Sequence, residues 1–279
     1  MGSSNFASAD CLDAAVTAAR SAAAILQAHA QHREQLVIDF KQRNDLVSQA
    51  DHEAEQAIVE ILHGRYPDAG IQAEESGGRK GNQATWCIDP LDGTINFLSG
   101  IPHYAVSIAL VGHAGCQLDG ADPLAVDTPL VGVVLDPNRE ELFTAVHGLG
   151  AWLNGRRIQC SDTATLEHAV LATGLPFRDF SFESRYMPIL DAAMHGTRGV
   201  RRFGSAALDL AWVACGRYDG YWEMGLAPWD VAAGTVLVRA AGGVCEDLQH
   251  RCPWPETGFL YAANRRLAAP LHLLIEPHA

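Results

Sequence analysis

Apolar residues near the start of the chain recur at helical spacing. Leu12, Val16, Ala19, Ala23 and Leu26 advance in steps of four and three, which predicts an amphipathic helix with a closely packing, alanine-rich face. A second helix is predicted over about 48–63, with Ala54, Ile58, Ile61 and Leu62 as its buried stripe. Ser48 and Asp51 there have the spacing of a capping box, and Pro67 follows the helix end. The pattern then turns extended. Apolar runs at 71–73, 86–88, 105–111 and 131–135 read as strands, with Glu74-Glu75-Ser76-Gly77-Gly78 as a turn after the first. Asp136-Pro137-Asn138-Arg139 returns the chain into a strand at 142–145. Asn154-Gly155 then closes a tight hairpin between 151–153 and 156–158, because this dipeptide tolerates positive φ. Successive hairpins mean an antiparallel sheet.

Past about residue 160 strands and helices alternate: strands at 170–173, 218–223 and 259–262, helices at 185–194, 205–215 and 229–241, and a terminal helix. The expectation is an α+β chain in two parts. Residues 1–160 give a helix pair and an antiparallel sheet, and 161–279 an α/β part that completes the site. No internal repeat or long linker interrupts it.

Composition narrows the function classes. With 279 residues, 48% of them hydrophobic, there is ample material for a packed core. A formal net charge of -13 repels nucleic-acid backbones and anionic lipid. If a phosphate is the ligand, something other than protein charge must attract it. Seven cysteines without a C-x-x-C pair favour reduced thiols in a cytoplasmic protein. Asp10, Asp13 and Arg20 break the first apolar stretch, so no signal peptide is expected. Phe6 stands where a myristoylation signal needs Ser or Thr. The uncharged stretch 96–118 is broken by Pro102, His103, Gly112 and His113, which argues against a membrane span.

The most informative segment is Asp89-Pro90-Leu91-Asp92-Gly93-Thr94. Two carboxylates held together at a turn repel unless a cation compensates them, and hard oxygen donors suit Mg²⁺. Read alone, the same spacing also suits a helix cap in which Asp92 accepts backbone N–H groups. Neither the D-x-D-G-T motif of haloacid dehalogenase phosphatases nor the helical D-D-x-x-D of prenyl synthases fits it.

Together with Asp45-Leu46-Val47-Ser48-Gln49-Ala50-Asp51, Glu74-Glu75-Ser76, Gly204-Ser205-Ala206-Ala207, Glu223 and Pro228-Trp229-Asp230, this segment makes the chain resemble the inositol monophosphatases over nearly its whole length. The resemblance implies a layered αβαβα fold, two or three Mg²⁺ per site, Li⁺ sensitivity and a homodimer. It assigns Glu74, Asp89 and the Leu91 carbonyl to one metal, and Asp89, Asp92 and Asp230 to another. It gives Asp51 and Thr94, with Glu74, the task of activating water. Asp92, backbone groups of Gly93, Thr94, Gly204, Ser205 and Ala206, and the Glu223 carboxylate would contact a phosphate monoester. Inositol 1-phosphate is the substrate implied, with histidinol phosphate, fructose 1,6-bisphosphate and NADP as alternatives handled by relatives. Some bacterial relatives act in transcription antitermination through protein surfaces, which offers a protein-partner role without direct nucleic-acid contact.

Several of these residues have plainer readings. Asp51 also suits a capping box, Asp230 a helix dipole and Glu74 a solvated turn. Lys41 is a further candidate near the site, Arg201 and Arg202 face substrate, partner or solvent, and His103 is read as structural. Ile95 stands where the family often has a small polar residue beside the phosphate loop, and should be tolerated if its side chain points into the core. The stretch 112–128 is longer than the family hairpin and is expected to be an exposed loop.

Overall fold

The computed structural model describes residues 5–36, 38–42, 45–177 and 179–278, with the backbone alone described for Asn5, Gln35, 38–42 and 45–46. The first half contains β1 (Asn5–Phe6), α1 (Ser8–Ala30), β2 (Ile38–Gln42), β3 (Asp45–Ser48) and α2 (Gln49–Arg65). There follow β4 (Gly70–Ala73), β5 (Gly77–Arg79), β6 (Ala84–Asp92), the single turn α3 (Thr94–Leu98) and β7 (Ala105–Gly112). Next come β8 (Gln117–Leu118), β9 (Thr128–Asp136), β10 (Glu141–Val146), β11 (Gly150–Leu153) and β12 (Arg156–Arg157). The second half runs β13 (Val170–Thr173), α4 (Glu183–Gly196), β14 (Gly199–Arg201), α5 (Ala206–Ala214), β15 (Gly220–Glu223) and α6 (Pro228–Ala240). It ends in β16 (Val244–Asp247), β17 (Leu260–Ala263) and α7 (Ala268–Ile275).

Strand alternation builds the layers. On β7, Val106, Ile108 and Leu110 pack under α1 and α2, whereas Ala105, Ala109 and Val111 face α5 and α6. The eight-stranded sheet, in the order β12-β11-β10-β9-β7-β6-β4-β5, thus lies between two helix pairs. The five-stranded sheet, β14-β13-β15-β17-β16, covers the other side of α5 and α6 and carries α4 and α7 outside. This is the αβαβα layering of an α+β fold. The middle helices sit close to the large sheet: a Cβ at Gly132 of β9 would lie 2.6 Å from the Ala233 carbonyl oxygen of α6. On the outer face Ala14, Ala15, Ala18, Ala19 and Ala22 of α1 are wholly buried, as the alanine stripe requires.

Three details differ from the sequence pattern, and one candidate side chain is not among those described. β4 and β6 pair in parallel, because the chain turns back through edge strand β5 and then crosses to the other side of β4. The stretch 112–128 is not wholly a loop, since β8 pairs with β1 and Asp119 accepts the Ser8 N–H at 2.8 Å, tying down the start of α1. Ile95 is 48% exposed, because the inward face of the one-turn α3 is taken by Thr94, Asn96 and Phe97. Lys41 lies on β2, and its side chain is outside the described residues. Among the described residues no helix is long and apolar enough to cross a membrane.

Candidate active site

A register shift in β6 assembles the acidic centre. Asp89 pairs with Ser107 and Asp92 with Ala105, so β6 advances three residues while β7 advances two. In a regular strand, residues three apart point to opposite faces. The extra residue of the bulge turns both carboxylates to one side. Asp230 comes from the first turn of α6, where Pro228 pre-sets the helix start and Asp230 Oδ2 accepts the Ala227 N–H at 2.7 Å. Carboxylate oxygens of Asp89, Asp92 and Asp230 lie within 4.8 Å of one another. Glu74 follows β4, its N–H extends the ladder to the Ile88 carbonyl at 3.1 Å, and its carboxyl reaches hydrogen-bonding distance of Asp89.

Burial pushes the Asp89 carboxyl well above its ordinary range, and the neighbouring Glu74, Asp92 and Asp230 push it further. Burial also raises Asp92, to about 6, although hydrogen bonds from Ser205 and Ala207 oppose the shift. Two carboxyls in hydrogen-bonding reach need a proton or a cation between them. Hard, acceptor-only oxygens crowded in this way fit a divalent cation.

A second network reaches this centre from α2. Asp51 is buried, and its Oδ2 accepts from Ser48 N–H at 2.9 Å and Ser48 Oγ–H at 2.6 Å. Its Oδ1 lies 3.3 Å from the Thr94 hydroxyl, which is also 3.1 Å from the Leu91 carbonyl oxygen. The capping box and the reach to Thr94 therefore coexist, each using a different oxygen of Asp51. Burial raises the Asp51 carboxyl; Ser48 opposes the shift and Glu74 adds to it.

A cavity of about 150 Å³ opens beside the centre, lined among others by Asp92, Thr94, Gly204, Ala206, Glu223 and Asp230. Gly93 and Ser205 line it too, whereas Asp89, Glu74, Leu91 and Asp51 are not part of its lining. The Ser205 hydroxyl donates to Asp92 Oδ2 at 2.6 Å, and the Ala207 N–H joins it at 2.7 Å, so this segment also anchors a β6 carboxylate. Glu223 accepts from the Tyr221 hydroxyl. The two arginines part company: Arg202 lines the cavity with its guanidinium over the Phe177 ring, while Arg201 is exposed away from it. Ile95 lines the mouth instead of joining the core. His103 packs tilted against Phe203 and edge-on against Trp212, and burial lowers it to about 4, keeping the ring neutral near pH 7.

Three contributors escaped the sequence reading. Gly174 leaves room for Glu223, since a Cβ there would fall 1.9 Å from its carboxyl carbon. Asp209 is buried, and its carboxyl is pushed well above the usual range by burial and then by Glu223 and Asp92. Glu55 is buried one helical turn after Asp51, and its two carboxylate oxygens accept the N–H groups of Glu75 and Ser76 at 2.7 Å each. That grip fixes the turn carrying Glu74. Its spacing of four from Asp51 is the one sequence signal that places both on one helix face. Glu55→Gln keeps the shape but gives up one acceptor. It is expected to weaken divalent-cation binding about 10–100-fold, as loss of an outer-sphere partner does, measured by calorimetric titration. Unchanged affinity would show that the turn holds without Glu55.

A model of the inositol monophosphatase family matches residues 8–278. The chain is 42% identical over 273 residues to a Pseudomonas aeruginosa protein named Nus factor SuhB, with 96% of both chains covered. To the protein of that name from Escherichia coli K12 it is 41% identical over 258 residues, with 92% of both covered. Among solved structures, extragenic suppressor protein suhB from Bartonella henselae superposes with a TM-score of 0.86 at 38% identity, covering 97% of this chain and 100% of that one. An inositol monophosphatase from Anabaena gives a TM-score of 0.78 at 37% identity, covering 97% and 96%.

Proposed function

The chain belongs to the inositol monophosphatase family, and from that premise we propose that it is a Mg²⁺-dependent phosphatase acting on inositol 1-phosphate or a similar polyol phosphate, working as a homodimer. The observation that carries the reading is the convergence of Asp89, Asp92 and Asp230 within 4.8 Å at the edge of a cavity that also holds Glu223. Glu74, Asp89 and the Leu91 carbonyl would hold one cation, and Asp89, Asp92 and Asp230 another. When bound, the cations supply positive charge for the phosphate and acidify water.

This chain's own residues do the rest. Thr94 has a single hydroxyl proton facing two acceptors, the Leu91 carbonyl and Asp51. Were the Leu91 carbonyl to serve as a cation ligand, that proton would be left to Asp51 Oδ1. The Thr94 oxygen is then an acceptor that would orient an attacking water and take its proton as the Thr94 proton passes to the Asp51 carboxylate. Ser205 and Ala207 hold Asp92 Oδ2, which fixes that carboxylate beside Asp89 and Asp230. Backbone groups of Gly93, Thr94, Gly204 and Ala206 border the phosphate end of the cavity. Glu223, steadied by Tyr221, accepts from vicinal hydroxyls at the other end.

The test is phosphate release from a panel of inositol 1-phosphate, histidinol phosphate, fructose 1,6-bisphosphate and NADP with Mg²⁺. The highest kcat/KM is expected on inositol 1-phosphate. Faster release from another member reassigns the substrate, and none from any member removes the enzymatic reading. A second reading rests on the relatives named Nus factor: a protein-partner role in transcription antitermination. Stoichiometric co-elution of an Asp89→Asn chain with a reconstituted transcription complex supports it, and separate elution dismisses it.

A further inference from the structure

Two histidines outside the acidic centre point at each other. His250 follows β16, with a backbone φ of 53°, and His272 lies on α7 in the outer helical layer. Their Nε2 atoms are 3.1 Å apart, and the ring centroids 4.8 Å. Behind each ring stands a carboxylate. His250 Nδ1 is 3.6 Å from Glu246 Oε2, and His272 Nδ1 is 4.0 Å from Glu276 Oε2. Tyr261 packs against both rings, and its hydroxyl donates to Glu246 Oε2 at 2.7 Å, fixing that carboxylate.

At 3.6 and 4.0 Å these carboxylates do not hydrogen-bond the rings, but their negative charge favours in each the tautomer with the proton on the nearer Nδ1. Applied to both rings, that choice leaves two bare Nε2 lone pairs facing each other, a repulsive contact unless a cation lies between them. A carboxylate behind a histidine, drawn in to hydrogen-bonding distance, also orients an imidazole toward a metal. Zinc–imidazole bonds of about 2.0–2.1 Å at ligand angles of about 90–110° set two nitrogens about 2.9–3.4 Å apart. The observed separation falls within that span.

We propose that His250 and His272 form a second metal site, for an imidazole-preferring transition ion such as Zn²⁺, that staples the β16–β17 loop to α7. Mg²⁺ is a poor fit to it, because Mg²⁺ demands oxygen donors. The side chain of His250 is 54% exposed and that of His272 18%, so water completes the coordination. The site is independent of the phosphatase reading, because it shares no residue with the acidic centre.

Calorimetric titration of Zn²⁺ into the full chain, His250→Asn and His272→Gln tests it. Asn suits the positive φ at 250, which keeps that variant folded. Zinc taken up at the acidic centre is common to the three proteins and cancels. The expected result is one additional Zn²⁺ per chain in the parent, bound at least tenfold more tightly than in either variant. The Cu²⁺ electron paramagnetic resonance spectrum should show splitting from two nitrogens in the parent and from one in His250→Asn. Equal zinc binding in parent and His250→Asn, or no two-nitrogen signal in the parent, overturns the site and leaves an ordinary N–H···N hydrogen bond.

Discussion

Asp89→Asn is expected to lower Mg²⁺-dependent phosphate release by at least about 10³-fold, a loss of some 4 kcal/mol of transition-state stabilisation, while making the metal-free protein more stable. Both effects share one cause. Asp89 is buried among Glu74, Asp92 and Asp230, where a carboxylate is unfavourable without a cation and indispensable with one. The sign with pH follows from linkage. Asp89 and Asp92 are raised in the folded state, Asp92 to about 6, above the ordinary aspartate value near 3.8. The folded protein therefore binds more protons than the unfolded chain between those values, and metal-free stability falls as pH rises from about 4 through 6. Melting curves in chelator should show the variant gaining most over the parent near pH 8 and little near pH 4. Added Mg²⁺ should reverse the order at pH 8, because the parent binds it and the variant binds it poorly. A variant that keeps full turnover, or melts with the same Mg²⁺ dependence as the parent, would show that Asp89 does not bridge the cations.

The acidic segment was legible because its chemistry is local. Pro90, Gly93 and two aspartates three apart after an apolar run announce a turn that concentrates charge. The bulge that makes those aspartates neighbours was not legible, since it depends on how β6 pairs with Ala105 and Ser107 of β7. The helix pair and most central strands followed from periodicity alone. Short edge strands did not: β16 follows Gly242-Gly243 with two acidic residues in four, and β1 and β8 exist only through pairing with each other. Positioning groups were hidden for the same reason. Glu55 acts on a turn 20 and 21 residues away, and Ser205 on Asp92 across 113. No spacing rule spans such distances. The direction of Ile95, on which its tolerance depended, was not legible either, because a one-turn helix has too few inward positions to bury every apolar residue.

Asp51 admits a sharper test, because the structure gives its two oxygens different work. Oδ2 completes the capping box with Ser48, and Oδ1 faces Thr94. Were the cap its whole role, Asp51→Asn would cost about 1 kcal/mol of stability and leave turnover alone. The two-oxygen geometry predicts otherwise. Thr94→Val keeps the side-chain volume and removes the hydroxyl, and is expected to lower kcat about 10²–10⁴-fold, the range for a positioned proton acceptor. KM should stay nearly constant, because the backbone of Thr94 still borders the cavity. Thr94→Ser should restore most of the rate. Asp51→Asn should fall in the same range, since its amide is a poorer acceptor for the Thr94 proton. The double variant should be little slower than either single one, because residues acting in one relay do not lose rate additively. Losses that multiply would place Asp51 and Thr94 in separate roles, and an Asp51→Asn chain that turns over normally would return Asp51 to the helix cap alone.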